Sequence, residues 1–155
     1  MKELYSIRVF KDQSTWRLYG LGVVTCGVYF AYYIKKQTVK INELTGEDNA
    51  ISQWLINSIL AMSYISLVLF PVWIAVDEGH PVEAVRDLVS RIQWTLDVGW
   101  AFIARNRLNT AYEISENDKE WFHGLWTFLF SQLYFNYKIN SICEESVEQV
   151  APADS

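Results

Sequence analysis

The apolar positions of this chain gather into four runs separated by charged clusters, and the second run is the most telling. From Asn49 to Val76 no Asp, Glu, Lys or Arg interrupts the sequence. A helix needs about 20 predominantly apolar residues to cross a ~30 Å hydrocarbon core, so a transmembrane helix is expected over 54–76. Trp54 and Trp73 stand near its ends as interfacial aromatics do, and Asp77 and Glu78 close it. Pro71 should loosen its last turns, while Asn57, Ser58, Ser63 and Ser66 should face protein.

The first run, 18–34, lies between Arg17 and Lys35. On a helix Gly20, Val24, Gly27 and Ala31 share one face. Small residues there let a neighbouring backbone approach closely, so Gly20, Gly27 and Ala31 are expected as helix-packing positions. The third region, from Pro81 to Leu108, has Val82, Val85, Leu88, Val89, Ile92 and Leu96 at helical spacing against Glu83, Arg86, Asp87 and Arg91. It reads as one long amphipathic helix whose second half, 92–108, either spans or lies at the interface. The fourth run, 121–137, is marginal in length for a perpendicular crossing.

The expected fold is therefore all-α: an integral membrane protein with three to four short transmembrane or re-entrant helices, one of the helices amphipathic. Residues 1–143 form the helical membrane domain. Residues 144–155, acidic and without periodicity, read as a disordered tail.

Three lysine- or arginine-led triplets follow aromatic clusters at the ends of apolar runs: Lys40-Ile41-Asn42, Arg107-Leu108-Asn109 and Lys138-Ile139-Asn140. Such a triplet can anchor a helix end. The cation reaches toward phosphates, the aliphatic residue packs inward and Asn bonds free carbonyls. If every run spans, Lys35, Lys36 and Lys40 are cytoplasmic together with Arg105 and Arg107, but the N-terminal cations and Lys138 fall outside. If 18–34 and 121–137 dip in and return, all three triplets lie on one side. Re-entrant backbone must then be buried in protein or line a wet cavity.

These motifs, with Thr25-Cys26-Gly27-Val28-Tyr29, Tyr32-Tyr33, Ile41-Asn42-Glu43-Leu44, Trp100 to Asn109, and Gln132-Leu133-Tyr134 through Asn140, resemble the small bacterial membrane proteins of the domain-of-unknown-function family numbered 4234. The resemblance covers residues 16 to 143. Where that family often has Thr-x-Gly-Ile-Tyr followed by Trp, this chain has Val28 and Tyr32. The resemblance implies a helical fold in a bacterial inner membrane, no assigned activity and no catalytic residues.

The composition adds exclusions. The chain has 155 residues, is 51% hydrophobic and 15% aromatic, and carries a net charge of -5. No basic surface for nucleic acid is implied. Cys26 and Cys143 are far apart, with no paired spacing and no nearby histidine, so neither a disulfide scaffold nor a zinc site is expected. His80 beside Pro81 and His123 beside Gly124 lack ligand partners and read as structural or interfacial. No phosphate loop, nucleophile elbow or cofactor motif is present, which disfavours an enzyme.

Asp97 is the best single functional candidate, because a carboxylate inside an apolar helix is costly. Arg91, Arg105 or a cation from another segment is its expected partner; at an interface it would face water instead. The readings that follow are a non-enzymatic scaffold or accessory protein that self-associates or binds another membrane protein, a small channel or transporter using Asp97, and an immunity-type membrane protein. The bilayer and a second copy or another membrane protein are the expected partners.

Overall fold

The computed structural model describes residues 4–148, which form helices joined by short turns with no strand among them. A 3-10 helix over Leu4–Phe10 leads into α1 (Thr15–Val24), α2 (Val28–Thr45), α3 (Gln53–Ala75), α4 (Pro81–Ala111) and α5 (Gly124–Glu148). The all-α expectation and the long amphipathic helix starting at Pro81 hold. His80 caps that helix, its Nδ1 accepting from the Val82 N–H at 3.2 Å. α3 runs through Pro71.

The outer runs are not single helices. α1 has ten residues, about 15 Å, too short to cross a bilayer. It ends in a Schellman turn: the Gly27 N–H bonds the Gly22 carbonyl at 2.8 Å and the Cys26 N–H bonds that of Val23 at 3.1 Å. Cys26 and Gly27 have φ of 50° and 90°. The chain then returns as α2, with the Phe30 ring seated so tightly on Gly22 that a Cβ there would lie 2.1 Å from it. Asp12 and Lys36 close the open end of this hairpin at 2.6 Å. The Tyr29 hydroxyl donates to Gln13 Oε1 at 2.9 Å.

α5 folds back as well. Ser131, at φ 41° and ψ −117°, breaks it. The Tyr134 hydroxyl accepts from the His123 N–H at 3.1 Å, although a straight helix would hold these residues about 16 Å apart. The spanning arrangement of 18–34 and 121–137 is thus replaced by two helical hairpins, with tips at 25–27 and at Ser131. The expectation of one small-residue face fails for the same reason: the break leaves Gly20 on α1 and Ala31 on α2, with Gly27 capping α2 at the turn between them. Open space surrounds both glycines, and only Ala31 is buried.

Burial is concentrated at one end. Ile7, Phe10, Ile41, Ile51, Leu108, Ile114, Phe122 and Ile139 pack there with Trp100, whose indole N–H donates to Thr38 Oγ1 at 2.8 Å. The opposite end leaves apolar side chains bare: Val23 and Val24 on α1, Ile65 to Ile74 on α3, Val85 and Leu88 on α4, and Leu125 to Phe130 on α5. Residues 144–148, expected in a disordered tail, continue α5; 149–155 lie outside the described residues.

Candidate functional site

The three Asn triplets come together at the filled end and do the same work. Their middle residues, Ile41, Leu108 and Ile139, are all buried. Counting back from each Asn, the positions one, five, eight and nine residues earlier are buried in all three helices, as in Gln37, Ala104 and Phe135 at five. The Asn side chains clamp incoming backbone. Asn42 accepts from the Ile51 N–H at 2.7 Å and donates to its carbonyl at 3.2 Å. Asn140 donates to the Gln13 carbonyl at 2.9 Å, beside Asn136 at 3.0 Å, and Asn109 accepts from the Phe122 N–H at 3.4 Å.

The cations bond protein as well. Lys40 donates to the Val9 carbonyl at 2.8 Å, Arg107 to Asn49 Oδ1 at 2.8 Å, and Lys138 to the Lys119 carbonyl. Burial pulls both lysines below the ordinary lysine range, against the opposing pull of Asp12 near Lys40 and of Glu145 and Glu120 near Lys138. The repeat therefore marks equivalent structural positions, and its cations hold loops as well as helix ends.

A second grouping lies where the two hairpin tips meet the middle of α3 and α4. A cavity of about 530 Å³ is lined by Cys26, Gly27 and Phe30 from the first tip and Gln132 from the second. Ser63, Ser66 and Phe70 of α3 and Arg86, Ser90, Gln93, Trp94 and Asp97 of α4 complete it. Helical spacing puts Arg86, Ser90, Gln93 and Asp97 on one stripe of α4, and antiparallel packing sets that stripe against the serines of α3. The tip needs a backbone reversal without leaving polar groups orphaned. Thr25 supplies it, donating to the Leu21 carbonyl at 2.7 Å and accepting from the Tyr29 N–H at 2.9 Å.

Asp97 is buried, and its described hydrogen-bond partner is Gln93, whose Nε2 donates to Oδ1 at 2.9 Å. Gln93 in turn accepts from Ser63 Oγ at 3.4 Å. The arginine partners expected for Asp97 are engaged elsewhere or exposed. Arg105 donates to the Phe122 carbonyl and lies over the Trp121 ring, and Arg91 is on the surface. Arg86 reaches the cavity, but its guanidinium stacks 4.0 Å above Trp73 and bonds Asp87 at 3.5 Å. An ion buried without a counter-charge costs several kcal/mol, so this carboxylate calls for a proton or a cation.

No family model matches the chain, and neither does any curated protein or solved structure. The site must therefore be read from its own geometry.

Among the described residues, no group of three or more His, Cys, Asp or Glu side chains comes together to hold a metal. His80 is occupied as a cap, and His123 contributes backbone bonds at the start of α5. Beside Arg86 and Cys26, the cavity wall carries one carboxylate, two amides and three hydroxyls, with the aromatic rings of Phe30, Phe70 and Trp94. Reading the sequence found Asp97 but missed Gln93 and Gln132. Gln93 was findable, standing one helical turn before Asp97 on the same face; Gln132 carried no such signal, because the Ser131 break brings it in.

Proposed function

We propose that this protein is a small integral membrane protein that binds a small polar solute at the Asp97 cavity and passes it across or into the bilayer, as a channel or transporter subunit. The carrying observation is the meeting of two folded-back hairpin tips around a polar cavity with a buried carboxylate that forms no ion pair among the described residues. Irregular backbone at membrane depth is tolerated where it lines such a cavity, and intramembrane carboxylates mark solute and proton pathways.

Placement in the bilayer is supported by α3. It is long and apolar enough to cross, yet only 11% of its most apolar stretch is buried, unlike the core helix of a soluble protein. Leaving Tyr64, Ile65, Leu67, Val68, Phe70, Val72 and Ile74 in water forgoes on the order of 10 kcal/mol of burial, comparable to a domain's whole net stability. In the proposed arrangement the filled end, with its three triplets, sits at one headgroup layer, and the Asp77–Gly79 turn emerges at the other. Kinship with the family numbered 4234, and with it a bacterial inner membrane, belongs to the same proposal.

Two measurements test it. Cysteines introduced as Glu78→Cys and Glu116→Cys in a Cys26→Ser background should label from opposite sides with an impermeant maleimide; labelling from one side removes the crossing. Proteoliposomes should dissipate an imposed gradient of potassium, protons or a small organic ammonium, and Asp97→Asn should abolish this. A folded wild-type protein that leaves all three gradients intact refutes translocation. The scaffold reading would then lead, favoured by the bare face of α3 and the open surroundings of Gly20 and Gly27.

A further inference from the structure

The shape and lining of the cavity narrow its ligand. A bare alkali ion is held by several oxygens closing on it at short range, whereas this cavity is far larger than one ion and three of its walls are aromatic: Phe30, Phe70 and Trp94. Aromatic faces around a single carboxylate are the chemistry that recognises an organic ammonium, the rings attracting its diffuse charge and the carboxylate pairing with it. The acceptor side is incomplete within the protein. Gln132 is 7% exposed, and its Oε1 has no hydrogen-bond partner among the described residues although it lies in the cavity wall. Side-chain hydroxyls of Ser66 and Ser90 face the same space.

Arg86 does not oppose such a ligand. It lies about 16 Å along α4 from Asp97, and Asp87 and the Trp73 ring already hold its charge. Cys26 sits at the tip.

We propose that this cavity binds a small organic ammonium group, pairing it with Asp97 and Gln132 and enclosing it with Phe30, Phe70 and Trp94. The proposal rests on the solute-binding reading given above. A free alkylamine and the ethanolamine headgroup of a lipid both carry this chemistry.

The test uses the full chain purified in detergent, with tryptophan fluorescence as readout and n-propylammonium chloride as probe. Wild type should show a saturable change, absent with sodium chloride at equal ionic strength and lost in Trp94→Phe. In Asp97→Asn the half-saturating concentration should rise at least about tenfold, the loss of one buried charge pair. Where circular dichroism shows that Asp97→Asn does not fold, Ser66→Leu takes its place. It fills the cavity from a half-buried position on α3 while leaving the carboxylate, and it should abolish saturation.

Adding phosphatidylethanolamine to the micelles separates the sources: it competes with propylammonium if the lipid headgroup is the ligand, and phosphatidylglycerol does not. If neither competes, the free amine is the ligand. No saturation in wild type, the same response to sodium, or an unchanged response in the folded variants overturns the proposal. Saturation without gradient dissipation in liposomes retains the site and removes translocation; dissipation without saturation does the reverse.

Discussion

Replacing each triplet asparagine by alanine should produce unequal losses, in an order that the hydrogen bonds dictate. Asn42 makes two bonds to Ile51, one of 2.7 Å, and so holds the turn between α2 and α3 as a paired clamp. Net values of about 1 kcal/mol per bond, plus the penalty for stranding backbone groups, put Asn42→Ala at roughly 2–3 kcal/mol. Asn140 makes one bond, to an acceptor that Asn136 also reaches, and its own buried Oδ1 has no partner among the described residues, so the Gln13 carbonyl stays satisfied and the loss should be no more than about 1 kcal/mol. Asn109 makes one long bond, and its buried Nδ2 has no partner among the described residues. Removing that unpaired donor offsets the loss of the acceptor, which leaves Asn109→Ala within about 0.5 kcal/mol of wild type. Reversible unfolding in mixed micelles, followed by tryptophan fluorescence, gives the three differences under one condition. A loss at Asn109 equal to or above that at Asn42 would refute the assignment of the triplets as loop clamps graded by their bonds.

Other perturbations probe the buried end and the tips. Thr38→Val keeps the volume but strands the indole N–H of the fully buried Trp100, so it should cost about 1–3 kcal/mol in the same unfolding assay. At Cys26, held at φ 50°, glycine should be neutral or stabilising by up to about 1 kcal/mol, whereas Cys26→Val, with a branched side chain at positive φ, should destabilise by about 1–2 kcal/mol. Burial raises the Cys143 thiol above the ordinary range, Glu144 adding to it while Lys11 and Arg8 oppose. The unfolded chain then loses its thiol proton first, so the stability of wild type relative to Cys143→Ala should fall as pH rises above about 8.5. A difference that is flat with pH would show that the thiol ionises alike in both states.

Periodic stretches announced themselves in the sequence; the reversals of 18–34 and 121–137 were signalled only by the charges of the triplets, and their positions were not. The long amphipathic α4 was legible because its apolar stripe repeats for many turns, and α3 because no charge interrupts it. Asp97 stood out as a charge in apolar surroundings. The place of the folding-back at 25–27 had only Gly27 to mark it, and Cys26 occupies the left-handed position where glycine is the usual choice. Ser131 takes a rarer conformation with neither Gly nor Pro beside it. Its turn depends on tertiary bonds such as that between Tyr134 and His123, which no local pattern encodes. Ile7, Phe10, Ile114 and Phe122 were missed for a related reason. They sit in short or irregular segments too brief to show a period, yet they fill the core at the end where the triplets gather.

That division of labour has a physical consequence for the cavity. The filled end is cross-linked by side chains that bond backbone: Lys40, Asn42, Asn140 and Gln37 tie the segments at 9–13 and 51 to the bundle. At the other end, polar links between helices reduce to a few side-chain contacts, such as Tyr32 with Tyr64 at 2.6 Å and Ser63 with Gln93. Apolar faces provide no directional hold there, and they are satisfied only when something apolar surrounds them. The tips that line the cavity therefore belong to the half of the molecule whose packing depends most on its surroundings. A bilayer that covers α3, the end of α1 and the start of α5 would supply the missing burial without adding a bond to the tips. The cavity would then sit between a rigidly clamped platform and two hairpin tips held mainly by their environment, which is where a binding site able to open and close is most readily built.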